Sequence, residues 1–180
     1  TFGNQITDVS YGRRSDDNTW SFFGEPTPGG PNNTAPTNST EQSEPVTPSL
    51  ESGFYSGPFT VELSVGSDTE QIYYTLDGSR PGSGTNLYTV PITIESTTIL
   101  KARSIGTNKF PGKIMVATYF IGEQSYLPSI SLVAEPETLW DEDIGIYENE
   151  YKQREIPVTI HYFTSETDHG FTANAGARLG

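Results

Sequence analysis

Only two histidines, His161 and His169, are available as catalytic bases in 180 residues, and there is no cysteine. Serine hydrolysis needs a nucleophile on a sharp turn with an imidazole in reach, and no Gly-x-Ser-x-Gly elbow occurs. His161 alternates with Tyr162 in a strand-like run and His169 sits in a Thr-Asp-His-Gly turn, so both read as ordinary strand and loop residues. Phosphoryl transfer requires a glycine-rich phosphate cradle followed by a lysine, and Gly82-Ser83-Gly84 has neither that spacing nor the lysine. A glycosidase needs two carboxylates held across a sugar; the chain has 23 Asp and Glu residues but no pattern that pairs two of them. The expectation is a segment that is not an enzyme and requires no cofactor.

Two weaker chemistries remain. Asp141, Asp143 and Glu148 supply hard oxygen ligands that suit calcium in an acidic loop. Counted from Asp141 as an EF-hand, however, a glycine falls at the fifth position and Lys152 stands where a bidentate glutamate is required, so the competing reading is a solvated loop. Exposed rings are the other possibility, because aromatic faces stack on pyranose faces and a Tyr hydroxyl can bond sugar oxygens. Tyr73 and Tyr88 are the ligand-binding candidates, whereas Tyr74 shares a face with Ile72 and Leu76 and belongs to a core. The competing reading is that all three tyrosines stabilise cross-strand pairs.

The elements that would position these residues are strands, and no helix is expected. The stretch 72–81 runs from aromatic and β-branched residues into Asp77-Gly78 and stops at Pro81, the strongest hairpin signal in the chain. Period-two alternation predicts strands at 49–52, 59–65, 71–76, 87–90, 92–95, 98–104 and 114–121. Further strands are expected at 6–11 and 20–23, and at 129–133, 157–163 and 171–179. Between 135 and 150 lies an acidic stretch for which Trp140 and Tyr147 are the expected anchors.

Composition agrees with a turn-rich β protein: 33% hydrophobic residues, Gly 18, Pro 13, and Tyr 10 with Phe 9 against a single Met. The net charge of -13 repels phosphate backbones and anionic headgroups, so nucleic-acid binding is not expected. No apolar run is long enough to span a membrane. Both ends open inside strand-like runs, as in a piece excised from a longer chain.

Four segments follow. Residues 35–45 shift to Pro, Thr, Ser, Asn, Glu and Gln, the composition of a solvated linker. Residues 1–34 precede it with two strands that cannot form a core alone. Residues 46–122 carry the strand count of a small immunoglobulin- or fibronectin-III-like antiparallel sandwich, and residues 123–180 add a further β segment. The fold class is therefore all-β, a sandwich with flanking β segments.

Resemblances sharpen these divisions. In 46–122, Pro48, Gly53-Phe54-Tyr55, 59–63, the intact Tyr-Thr-x-Asp-Gly-Ser-x-Pro pattern ending at Pro81, Tyr88, 91–94 and 97–102 resemble the chitobiase/β-hexosaminidase C-terminal domain family. The stretch Thr7 to Arg13 with 20–23, 27–29 and Asn32 resembles the closing strands of lamin-tail-like domains. Leu127 to Leu132, 139–141, 145–149, 154–158 and 174–178 resemble the entry into spore-coat-protein-H-like (CotH) kinases, whose catalytic half would lie beyond Gly180. Taken together they imply a non-catalytic structural or presentation module of a secreted or cell-surface bacterial multidomain protein. A carbohydrate-binding accessory module and the leading part of such a kinase are the alternatives. The partners implied are a polysaccharide or other cell-surface component and a downstream domain of the same protein.

Overall fold

The computed structural model describes residues 9–24, 27, 31–32, 36–37 and 41–180, whose regular structure is almost all β-strand. The N-terminal sheet joins β1 (Ser10–Arg13), β2 (Trp20–Phe23) and β3 (Pro36–Thr37) in the order β1-β2-β3. The tight turn between β1 and β2 is held by carboxylates: Asp17 accepts from the Thr19 amide and hydroxyl, and Asn18 takes a positive φ of 59°. Of the strand expected over 6–11, residues 6–8 lie outside the described residues, and Ser10 and Tyr11 fall in β1. As expected for a short hairpin, this sheet leans on a neighbour: Phe23 is buried and Phe22 meets Phe110 edge-on at 5.7 Å.

Residues 41–45, the second half of the expected linker, pack against the sandwich. Polar residues there pack, because Ser, Gln and Glu can satisfy backbone groups of a neighbouring loop as readily as water does. Ser43 is buried, its amide donates to the Phe110 carbonyl, and its hydroxyl accepts from the Gly106 amide. Glu70 accepts from the Glu44 amide at 2.8 Å and from Lys109 Nζ at 2.9 Å.

The sandwich is built from β4 (Thr47–Pro48), β5 (Gly53–Tyr55), β6 (Phe59–Val61), β7 (Leu63–Ser64), β8 (Glu70–Thr75), β9 (Asn86–Leu87), β10 (Ile92–Ile94), β11 (Thr98–Gly106) and β12 (Met115–Ile121). One sheet has the order β5-β12-β11-β8-β9; β10-β6 and β4-β7 form the other layer. All pairings in the large sheet are antiparallel except β5 with β12, where Tyr119 lies opposite Gly53 and Ile121 opposite Tyr55. Alternation on β11 sends Leu100 and Ala102 inward, where they bury with Val61, Leu63, Ile72, Ile92, Ile94 and Tyr119. The Tyr119 ring closes one end of this core: its hydroxyl donates to the Leu50 carbonyl at 2.8 Å, and burial raises its pKa.

Two expectations for this region change. The strand expected over 49–52 is a bend flanked by β4 and β5, and 59–65 divides at Glu62. Asp77-Gly78 does not close a two-residue hairpin. Only Gly78 has a positive φ (79°), Asp77 accepts from the Ser79 amide at 3.0 Å, and the connection runs on to β9. The principal partner of β8 is β11, six register pairs long.

A second three-stranded sheet lies on the outer face of the first. It is formed by β13 (Ser129–Val133), β14 (Ile156–Ser165) and β15 (Asp168–Ala177), all antiparallel. Phe163 is buried against Phe54 at 5.5 Å and Phe120 at 5.7 Å, both edge-on. Beside it, Thr118 on β12 bonds His161 Nδ1 at 2.9 Å and the Ser131 hydroxyl at 3.0 Å. The molecule thus stacks a third β layer on its sandwich.

The acidic stretch contains one short helix, α1 (Pro136–Trp140), and a 3-10 turn at Glu150–Lys152, against the expectation of none. Its anchors also differ from those expected. Ile146 buries with Ile156 and Val158, with Leu139 packed against them, while Trp140 and Tyr147 are 60% and 49% exposed and stack on each other at 4.5 Å. Compact aliphatics fit the end of a sheet, and the rings bury one another's faces instead. Gly145 is required here, since a Cβ would lie 2.5 Å from the Asp141 amide nitrogen.

Candidate functional site

Tyr73 and Tyr88 do not form one site. Tyr73 stands opposite Leu87 and Arg103, so it points to the outer face of the large sheet, where its hydroxyl donates to Gln71 Oε1 at 3.0 Å. Tyr88, one residue after Leu87, faces the other way and packs against the sandwich core, as Tyr74 does. Both candidates are half-buried. Near them the β8–β9 connection forms a shallow polar depression of about 470 Å³ bounded by Thr75, Asp77, Ser79, Thr85 and Asn86. The Asp77 carboxylate there accepts the Ser79 amide and hydroxyl, which lowers its pKa.

Asp141, Asp143 and Glu148 are all exposed, and among the described residues no three metal-ligating side chains converge. The Asp141 carboxylate is committed to its own turn. It accepts from the amides of Asp143 at 2.9 Å and Ile144 at 3.0 Å, and these bonds hold its pKa below the usual carboxylate value. Asn149 completes the turn from within by donating to the Glu142 carbonyl at 2.9 Å and the Gly145 carbonyl at 3.0 Å. The loop is thereby ordered by its own hydrogen bonds.

His161 is fully buried, and its Nε2 has no hydrogen-bond partner among the described residues. Burial first, and the neighbouring His169 second, push its pKa down to about 4, so it is neutral at pH 7. His169 lies ring to ring with Phe163 at 5.0 Å and accepts or donates one bond with Thr172 at 3.1 Å. The Nδ1 bond of His161 to Thr118 ties β14 to β12.

A cavity of about 350 Å³, not anticipated from sequence, opens where the second sheet meets the sandwich. Arg80, Lys101 and Lys113 line it together with Glu135, and Arg80 reaches the Glu135 carboxylate at 3.5 Å. Lys101, on β11, is only 5% exposed; its Nζ donates to the Gly78 carbonyl at 2.6 Å, and burial pulls its pKa down. The signal present in the sequence was the placement of Lys101 and Arg103 at positions that alternate with the apolar Leu100 and Ala102.

The architecture defines an immunoglobulin-like β-sandwich carrying a third β layer. Residues 50–114 match the family model of the chitobiase/beta-hexosaminidase C-terminal domain, about a third of the chain. Domains of that description are non-catalytic accessory domains, and the resemblance noted for 46–122 is thereby supported over most of its length. The match does not extend into residues 1–34 or 123–180. No curated protein and no solved structure matches the chain.

Proposed function

We propose that this chain is a non-catalytic structural and presentation module of a secreted or cell-surface bacterial multidomain protein. The observation that carries the reading is continuity of packing across the segments. Phe110 couples the N-terminal hairpin to the sandwich, and Phe163, His161 and Ser131 couple the second sheet to its outer face. Such a stack holds its neighbours at a fixed distance, which an accessory domain between flexible linkers would not do. Affinity electrophoresis of the chain in gels containing soluble polysaccharides, with and without calcium, tests it. Uniform migration on every gel is expected, and retardation by a particular glycan would overturn the purely structural reading.

A second reading, a carbohydrate-binding accessory module, is favoured by the exposed stacked pair Trp140 and Tyr147 and by Tyr73 on the outer sheet face. If a glycan does retard the chain, Tyr73→Ala and Tyr147→Ala separate the two surfaces. Calcium dependence of that retardation would bring Asp141, Asp143 and Glu148 back as ligands.

A further inference from the structure

The cavity between the layers concentrates positive charge in a chain whose net charge is -13. Three cationic side chains and one carboxylate face it, a local excess of two positive charges. Its remaining walls are largely apolar, including Val116, Val133 and Val158, and a charge held among such groups is poorly screened by water. Lys101 is the least expected of the three. An ammonium carries three donors, and burying it is costly unless opposite charge stands close. Glu135 supplies some of that charge, but it is shared with Arg80. Asp77, the other nearby carboxylate, is already bonded to Ser79. At about 350 Å³ the space falls at the small end of ligand pockets, which run from roughly 300 to 1,000 Å³.

We propose that this interlayer cavity binds a small oxyanion, coordinated by Lys101, Arg80 and Lys113. The shared chemistry is a compact group with several acceptor oxygens, which a phosphate or the carboxylate of an acidic sugar would present. Arg80 offers a planar fork and the lysines offer point charges, a combination suited to an oxyanion and not to a neutral sugar. Lys113 is exposed, so an anion arriving from solvent meets it without opening of the sheet interface. The depressed pKa of Lys101 fits the same picture, since a bound anion would restore its ordinary basicity. The site stands independently of the structural reading: it requires neither an aromatic platform nor a polysaccharide.

The test is a calorimetric or NMR titration of the whole chain at constant ionic strength with inorganic phosphate, glucuronate and glucose. Saturable binding of phosphate or glucuronate, with none of glucose, is expected; which of the two saturates identifies the source of the oxyanion. Lys113→Ala should weaken binding about two- to fivefold, the range for one exposed charge. Glu135→Gln should tighten it severalfold, because it removes the carboxylate that competes for Arg80, a direction that a merely structural role does not produce. Lys101→Met keeps the aliphatic stem and should abolish binding. If that variant fails to fold, Lys113→Ala and Glu135→Gln decide alone. Saturation by neither anion, equal binding of glucose, or unchanged affinity in both of these variants overturns the proposal.

Discussion

The two faces of the large sheet are covered by different chemistry. The inner face buries aliphatic residues, Leu100, Ala102 and Ile72 meeting Val61, Ile92 and Ile94, with Tyr119 at one end. The outer face meets the second sheet through Phe54, Phe120 and Phe163, one hydrogen-bonded chain through His161, Thr118 and Ser131, and a cavity lined by cations. An aliphatic core is insensitive to pH and gains from every methylene it buries. A mixed interface gains less per unit area and depends on the protonation of what lies within it. The sandwich should therefore be the stable unit and the second sheet the conditional one.

The largest expected effect contrasts the two directly. Phe163→Ala should cost about 3–5 kcal/mol at the interface, and Leu100→Ala about 2–5 kcal/mol in the core. Amide exchange should show Phe163→Ala lowering protection mainly in β13, β14 and β15, whereas Leu100→Ala lowers it throughout. Equal loss of protection in β8 and β11 after Phe163→Ala would mean that the layers unfold as one unit, and the distinction would collapse.

Acid should act on one face only. His161 is held neutral with a pKa of about 4, against 6.5 for the free side chain. Between those values the unfolded chain binds a proton that the docked sheet refuses, so the contribution of this residue is complete above pH 6.5 and is lost as pH falls to about 4. The loss should amount to roughly 3 kcal/mol at 1.36 kcal/mol per pKa unit. Denaturant melts of the native chain and of His161→Gln at pH 7 and pH 4.5 would read it, the variant showing the flatter dependence.

Smaller effects mark the borders of the comparison. Glu70→Ala removes a buried acceptor from the Glu44 amide and should destabilise the packed segment 41–45 by about 1–3 kcal/mol, leaving exchange in β14 unchanged. Asp16, whose pKa Arg14 holds down to about 2 through a charged hydrogen bond, lies in solvent on the N-terminal turn. Asp16→Asn should leave the melting temperature unchanged at ordinary salt, because an exposed pair contributes little and is screened.

Much of the fold was legible from period-two alternation. The strand at 129–133 falls where the pattern put it, that at 98–104 runs two residues further to Gly106, and that at 157–163 gains one residue at its start and two at its end. Where alternation misled, turns were responsible. The alternation over 59–65 is unbroken in sequence, yet its partners change from β10 to β4 at Glu62, a change that only tertiary pairing imposes. The candidate site was less legible. Tyr73 and Tyr88 look equivalent as strand tyrosines, but the register of β8 against β9 sends them to opposite faces. Arg80, Lys101 and Lys113 are scattered in the chain, and only the docking of the second sheet encloses them in one cavity. Trp140 and Tyr147 were the expected anchors of the acidic stretch, but they stack on each other and stay exposed while Ile146 makes the buried contact.

Among the named strands of the described residues one pair runs parallel, β5 beside β12, and this has a mechanical meaning. β5 comes early in the sandwich and β12 last, so tension transmitted along the chain draws β5 backwards and β12 forwards. Because the two strands point the same way, such a pull slides one along the other and loads their ladder bonds simultaneously; an antiparallel pair at the same place would peel open bond by bond. Pulled in that way, the β5–β12 ladder is loaded in shear.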